Sequence, residues 1–169
     1  KNGRFGIFEH ATGSGKTWSA LSIMKSHLTT SGDAIVLVHT KPILKQWYKE
    51  ISRWFPEAII GRIGAGHDDY RYLGMMKKSD PEARIILIGM IQSMVKPKKL
   101  KSLQKTLASE KSRVLLVVDE CHRIGAEGKA PLCELSPESA LGLSATPEVY
   151  GNPAGTNRIL ELFSGKDGS

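Results

Sequence analysis

At 169 residues, with 40% apolar and 24% charged residues, the chain has the size and composition of one packed domain with a single core. Its 24 Lys and Arg against 17 Asp and Glu leave a formal charge of +7, which favours an anionic partner such as nucleic acid. The two cysteines, Cys121 and Cys133, match no C-x-x-C or zinc spacing, and no stretch resembles a membrane span or a signal peptide, so the expectation is a soluble protein of the cytoplasm, or of the nucleus in a eukaryote.

In chain order, Gly6 to Glu9 reads as a short strand feeding the glycine-rich string Ala11-Thr-Gly-Ser-Gly-Lys-Thr17. Lys16 to Leu28 then carries helical apolar spacing at Ala20, Leu21, Met24 and Leu28. Ala34 to His39 reads as a buried strand and Pro42 to Phe55 as an amphipathic helix, with Pro42 suited to its first turn. A third strand over Ile59 to Ile63 ends at Gly64-Ala-Gly66, and a helix is expected over Asp68 to Lys78. Arg84 to Ile88 and Arg113 to Val118 are continuous apolar runs, the pattern of strands covered on both faces, separated by a basic helix near Leu100 to Leu107. Leu141 to Leu143 reads as the last strand and Asn157 to Phe163 as a closing helix. Alternating strands and helices predict an α/β fold with a mainly parallel sheet, whose chemistry lies at the carboxyl ends of the strands.

The string ending in Thr17 suits phosphate binding. Around Gly13, Ser14 and Gly15 there is little side-chain bulk, so backbone N–H groups from Thr12 onward can curl around phosphate oxygens at the start of a helix. Lys16 can reach the β and γ phosphates and Thr17 can offer its hydroxyl to magnesium. His10 stands where the strict pattern has glycine, and the plainer alternative is a glycine-rich turn; strand before and helix after favour the phosphate loop. Asp119 ends an apolar strand, which places its carboxylate at the sheet edge to hold magnesium, with Glu120 beside it to orient a water. Alone, such an Asp-Glu pair is most often a solvated turn.

Asp119-Glu-Cys-His122 is a D-E-x-H string, and with Ala11 to Thr17 and Ser144-Ala-Thr146 it resembles the first RecA-like domain of superfamily 2 helicases and translocases. Val38 to Lys41 with Leu44, Gln46 and Trp47 resembles motif Ia of that superfamily, Gly64 to Gly66 its glycine motif, and Gln92-Ser93 the end of motif Ib. Leu141 to Pro147 and Ile63 to Gly66 are most similar to the branch of XPB and type III restriction enzyme motors. The resemblance implies a three-layer RecA-like P-loop NTPase fold, ATP and Mg2+ as cofactors, and catalysis by Lys16, Asp119 and Glu120. Thr12, Gly13, Ser14, Gly15, Lys16 and Thr17 would bind ATP, with Thr17 and Asp119 on the metal. His122, Ser144 and Thr146 would couple hydrolysis to nucleic acid and to a second domain, and Thr40, Gly66 and Ser93 would face the strand. His39 replaces the usual proline of motif Ia, and Met90-Ile91 replaces the usual threonine–aromatic pair before Gln92.

The resemblance implies one domain over residues 1–165 with a tail at 166–169, cut from a longer protein whose second RecA-like domain supplies arginine fingers. Losing such a finger removes about 10³ to 10⁵ of turnover, so the isolated domain is expected to be nearly inactive. The expected function is half of a nucleic-acid-dependent motor, on DNA in preference to RNA. Alternatives are the motor of a restriction or phage-defence complex on duplex DNA, a nucleotide-gated RNA or DNA sensor, and a non-hydrolysing binding module. Lys96, Lys98, Lys99, Lys101 and Lys105 read as a solvated helix face before a phosphate-binding one, and Trp47, Trp54 and Phe55 as core before base-stacking platforms. Cys121 reads as a bystander.

Overall fold

The longest apolar runs of the sequence become the middle of a sheet. The computed structural model describes residues 4–9, 15–29, 32–107 and 113–165. Its elements in chain order are β1 (Phe5–Glu9), α1 (Lys16–Thr29), β2 (Asp33–Val38), α2 (Lys41–Trp54), β3 (Ile59–Gly64), β4 (His67–Asp68), α3 (Tyr70–Ser79), β5 (Ile85–Met90), α4 (Ile91–Met94), α5 (Pro97–Leu107), β6 (Val114–Asp119), two 3-10 turns (Cys121–Gly125 and Ala130–Glu134), β7 (Ser139–Ser144) and α6 (Pro153–Ser164). Among the described residues the strands form one sheet in the order β1-β7-β6-β2-β5-β3-β4. Every pairing is parallel except that of β4 with β3.

Parallel strands buried on both faces need interiors without polar side chains, and β2, β5, β6 and β7 supply them, with Asp33, Asp119, Ser139 and Ser144 confined to strand ends. Their side chains alternate between two cores, one on each face of the sheet, where composition predicted a single one. One lies under α1 and α2 and gathers Val36, Ile88, Val117 and Leu143 with Leu21, Met24, Leu44, Trp47 and Ile51. The other lies under α3, α5, α6 and the 3-10 turns and gathers Leu37, Leu87, Leu116 and Val118 with Leu73, Leu103, Ile124 and Phe163. The architecture is therefore three-layered, α/β/α, as the sequence pattern predicts.

Local chemistry sets the helix starts. Thr40 caps α2, its hydroxyl accepting from the Ile43 N–H at 3.4 Å, with proline in the first turn. Asn152 caps α6 in the same way through Gly155 N–H at 2.9 Å, so this helix begins at Pro153, four residues before the expected start. The expected helix over 68–78 loses Asp68 to β4. Ala65 and Gly66 both take positive φ, 53° and 88°, so the chain doubles back and His67 pairs with Gly64 before α3 can begin at Tyr70.

One close approach fixes the carboxyl end of the sheet. A Cβ on Gly155 would lie 2.5 Å from the Gly125 carbonyl oxygen, so the first turn of α6 rests directly on the 3-10 turn that follows β6. Gly74, within α3, has open space at the same position. Gly155→Ala should therefore destabilise the domain by about 1–3 kcal/mol. The same substitution at Gly74 should stabilise it by about 0.5–1 kcal/mol. Urea denaturation midpoints check both signs.

Candidate functional site

The alternation of β6 decides where its last side chain points. Leu115 and Val117 face the α1/α2 layer, so Asp119, two residues on, emerges at the carboxyl end of the sheet on that side. Lys16 and Thr17 begin α1 in that same layer, directly after Gly15, whose φ of 84° turns the chain into the helix. Asp119 Oδ2 accepts a 2.9 Å hydrogen bond from the indole Nε1–H of Trp47. Burial raises the Asp119 pKa, the indole hydrogen bond opposes that shift, and the neighbouring Glu120 charge adds to it.

Glu120 leaves the strand in left-handed backbone, φ 51° and ψ 57°. For a residue with a Cβ this costs on the order of 1–2 kcal/mol. The bend places its carboxylate between two partners: Oε1 lies 3.9 Å from Lys16 Nζ, and Oε2 lies 3.3 Å from His122 Nδ1. The Lys16 side chain is 11% exposed, and its ammonium has no hydrogen-bond partner among the described residues. A buried ammonium offers three donors and needs acceptors for them, so this corner fits an added anion. With a hydroxyl at Thr17 and a carboxylate at Asp119 beside it, the donor set suits a phosphate-bound divalent cation of the magnesium class.

On the opposite face of the sheet the chain of contacts continues. Ser144 ends β7 fully buried, and its hydroxyl donates to the Thr146 carbonyl at 2.7 Å while accepting from Thr146 N–H at 3.1 Å. His122 Nδ1 lies 3.0 Å from the same hydroxyl and donates to it in the Nδ1–H tautomer, which leaves the hydroxyl proton to Thr146. Lys16, Glu120, His122, Ser144 and Thr146 thus form one continuous set of polar contacts across the ends of β6 and β7. Thr12, Gly13 and Ser14 lie outside the described residues.

Thr40, Ser93 and Gly66 follow β2, β5 and β3, neighbours in the sheet, so all three come to the same edge as the acidic pair. Gln92 Nε2 donates to the His39 carbonyl at 2.9 Å, and a Cβ on Gly64, at φ 100°, would meet Ser93 Oγ at 2.9 Å. The Thr40 hydroxyl has a structural task as the α2 cap. Sequence reading missed one contact. Trp47 is core, as expected, but its N–H is spent on Asp119; the available signal was that a buried indole must find an acceptor. Arg62, within β3, stacks its guanidinium 4.1 Å over the Tyr48 ring. Lys96, Lys98, Lys101 and Lys105 are exposed, and Lys99 pairs with Asp68.

His39 and His122 both have pKa values held below 6.5, chiefly by burial; Arg123 adds to the effect at both, and the Glu120 charge opposes it at both. The unfolded imidazoles take up protons as pH falls through 6.5, while the folded ones resist until lower pH. Stability present above that point is therefore lost on acidification. Asp119 has the opposite sign, since burial raises its pKa and the folded state takes up its proton first as pH falls. Urea midpoints should fall between about pH 7 and 5.5, and His39→Gln with His122→Gln should flatten that slope.

Comparison with known proteins identifies the family and the fold. Residues 1–149 match the family model of the type III restriction enzyme res subunit. A protein named as a helicase, 109L of Invertebrate iridescent virus 3, is 29% identical over 160 residues, 92% of this chain and 42% of that protein, so the chain spans less than half of this relative. The Pyrococcus furiosus Hef helicase domain superposes with a TM-score of 0.67 at 23% identity, over 94% of this chain and 33% of that one. The Sulfolobus solfataricus SWI2/SNF2 ATPase core, solved with double-stranded DNA, gives 0.63 at 19% over 98% and 33%, and a nuclease-deletion mutant of the Type ISP restriction-modification enzyme LlaGI, solved with a DNA substrate mimic, gives 0.64 at 15% over 88% and 16%. These structures share the fold. The chain belongs to the type III restriction enzyme res-subunit family and is a helicase-like ATPase domain of superfamily 2, built on a RecA-like fold.

Proposed function

We propose that this domain binds Mg·ATP at the Gly15–Thr17 corner and hydrolyses it as the first half of a nucleic-acid-dependent motor, a DNA helicase or translocase. The observation that carries the reading is the continuous set of contacts from the unsatisfied Lys16 ammonium through Glu120 and His122 to Ser144 and Thr146. Thr12, Gly13, Ser14 and Gly15 offer backbone N–H groups to the phosphates, and Lys16 neutralises their charge. Thr17 and Asp119 hold the cation, which when bound polarises the phosphate and neutralises charge on it. Glu120, freed from Lys16 as the phosphates take over that ammonium, orients the attacking water and accepts its proton.

His122 senses that change directly, since its Nδ1–H is shared between Glu120 and Ser144. Ser144 and Thr146 carry it to a second RecA-like domain, and Thr40, Gly66 and Ser93 line the nucleic-acid side of the same edge. The formal charge of +7 supports an anionic track. DNA is favoured over RNA because two proteins of this fold were solved with DNA or a mimic of it. Family membership favours one variant of the reading, translocation on duplex DNA within a restriction or defence complex.

In the protein carrying both motor halves, Glu120→Gln should leave ATP binding intact, read with a fluorescent nucleotide, and lower phosphate release by at least about 10²-fold. Undiminished hydrolysis in that variant contradicts the role given to Glu120.

A further inference from the structure

The largest polar-tipped side chain in the core is placed where a purely structural tryptophan has no reason to be. Trp47 is 1% exposed and belongs to the buried stripe of α2 with Leu44 and Ile51. An indole N–H only donates, and burial obliges it to find an acceptor. The acceptor here is a carboxylate 72 residues away, Asp119 Oδ2, at 2.9 Å, a charge-assisted bond. We propose that Trp47 is the positioning residue of the metal-holding carboxylate: its indole N–H fixes the Asp119 rotamer and commits Oδ2, leaving Oδ1 for the cation.

This rests on the Mg·ATP reading and deepens it. Two further features support the assignment. The bond comes from a rigid part of the molecule: α2 is anchored at one end by the Thr40 cap and along its length by three side chains buried in the same core as Val117 of β6. A carboxylate held this way needs no reorganisation when a cation arrives, which is how partners beyond the ligands tune metal affinity. The same helix also starts at the strand-facing loop, His39-Thr40, which Gln92 grips from β5's end. A shift of that loop therefore reaches Asp119 through Trp47, seven residues along the helix, without crossing the sheet.

The test uses Mn2+ in place of Mg2+, read by electron paramagnetic resonance on the full-length protein with a non-hydrolysable ATP analogue. Trp47→Phe keeps an aromatic ring and removes the donor; replacing Trp47 by 3-benzothienylalanine keeps the bicyclic volume as well. Both should weaken Mn2+ binding by about tenfold, with metal-free nucleotide binding unchanged. Adding Trp47→Phe to Asp119→Ala should cause no further loss, because the partner is already gone. Ile51→Val, which loosens the same helix without touching Asp119, should leave Mn2+ affinity at the wild-type value. Wild-type Mn2+ affinity in both Trp47 variants, or an equal loss in Ile51→Val, overturns the proposal while leaving Asp119 as a ligand. Wild-type affinity in Asp119→Ala instead overturns the metal site, and this inference with it.

Discussion

A parallel sheet covered on both faces leaves its polar side chains only one place to go. Between the two cores every position on β6 from Val114 to Val118 is buried and apolar, and the first residue able to carry charge is the last, Asp119. On β7 the polar side chains stand only at its two ends, Ser139 and Ser144. Because the strands are parallel, these endpoints line up on one edge beside the start of α1 and the loops after β2, β5 and β3. The site is a consequence of how the core is built.

Strand alternation then sorts the chemistry by face. Asp119 emerges toward α1 and α2, and finds Trp47 there; Ser144 emerges toward α6, and finds His122 on the 3-10 turn. Glu120 joins the two sides because its left-handed backbone turns the chain at the strand end, placing one carboxylate between an ammonium of one layer and an imidazole of the other. The strain at Glu120 is thus spent on geometry the functional reading requires. Gly155 contributes from a distance, since its missing side chain lets α6 press on the turn that holds His122.

Much of this was legible in the sequence because the relevant signals are local and strong. Continuous runs such as Val114 to Val118 admit few readings besides a doubly covered strand, and the glycine-rich string with its flanking strand and helix placed Lys16. Glu120, His122 and Ser144, residues that the motif resemblance singled out, lie in contact in the structure. What was not legible depends on tertiary contact or on turn geometry. Asp68 has a helical neighbourhood, and only the positive φ at non-glycine Ala65 reveals the hairpin. The Trp47–Asp119 bond joins α2 to β6, and no spacing rule encodes it. The early start of α6 was readable in Asn152-Pro153, a cap and first-turn proline that apolar periodicity alone passes over.

The central claim is that the edge couples a phosphate site to a nucleic-acid track. Its most direct test is steady-state ATP hydrolysis by the protein carrying both motor halves, at fixed salt, without nucleic acid and then with single-stranded DNA, duplex DNA and RNA. The account predicts turnover that rises with DNA, and rises more with DNA than with RNA; a rate unchanged by all three would contradict it.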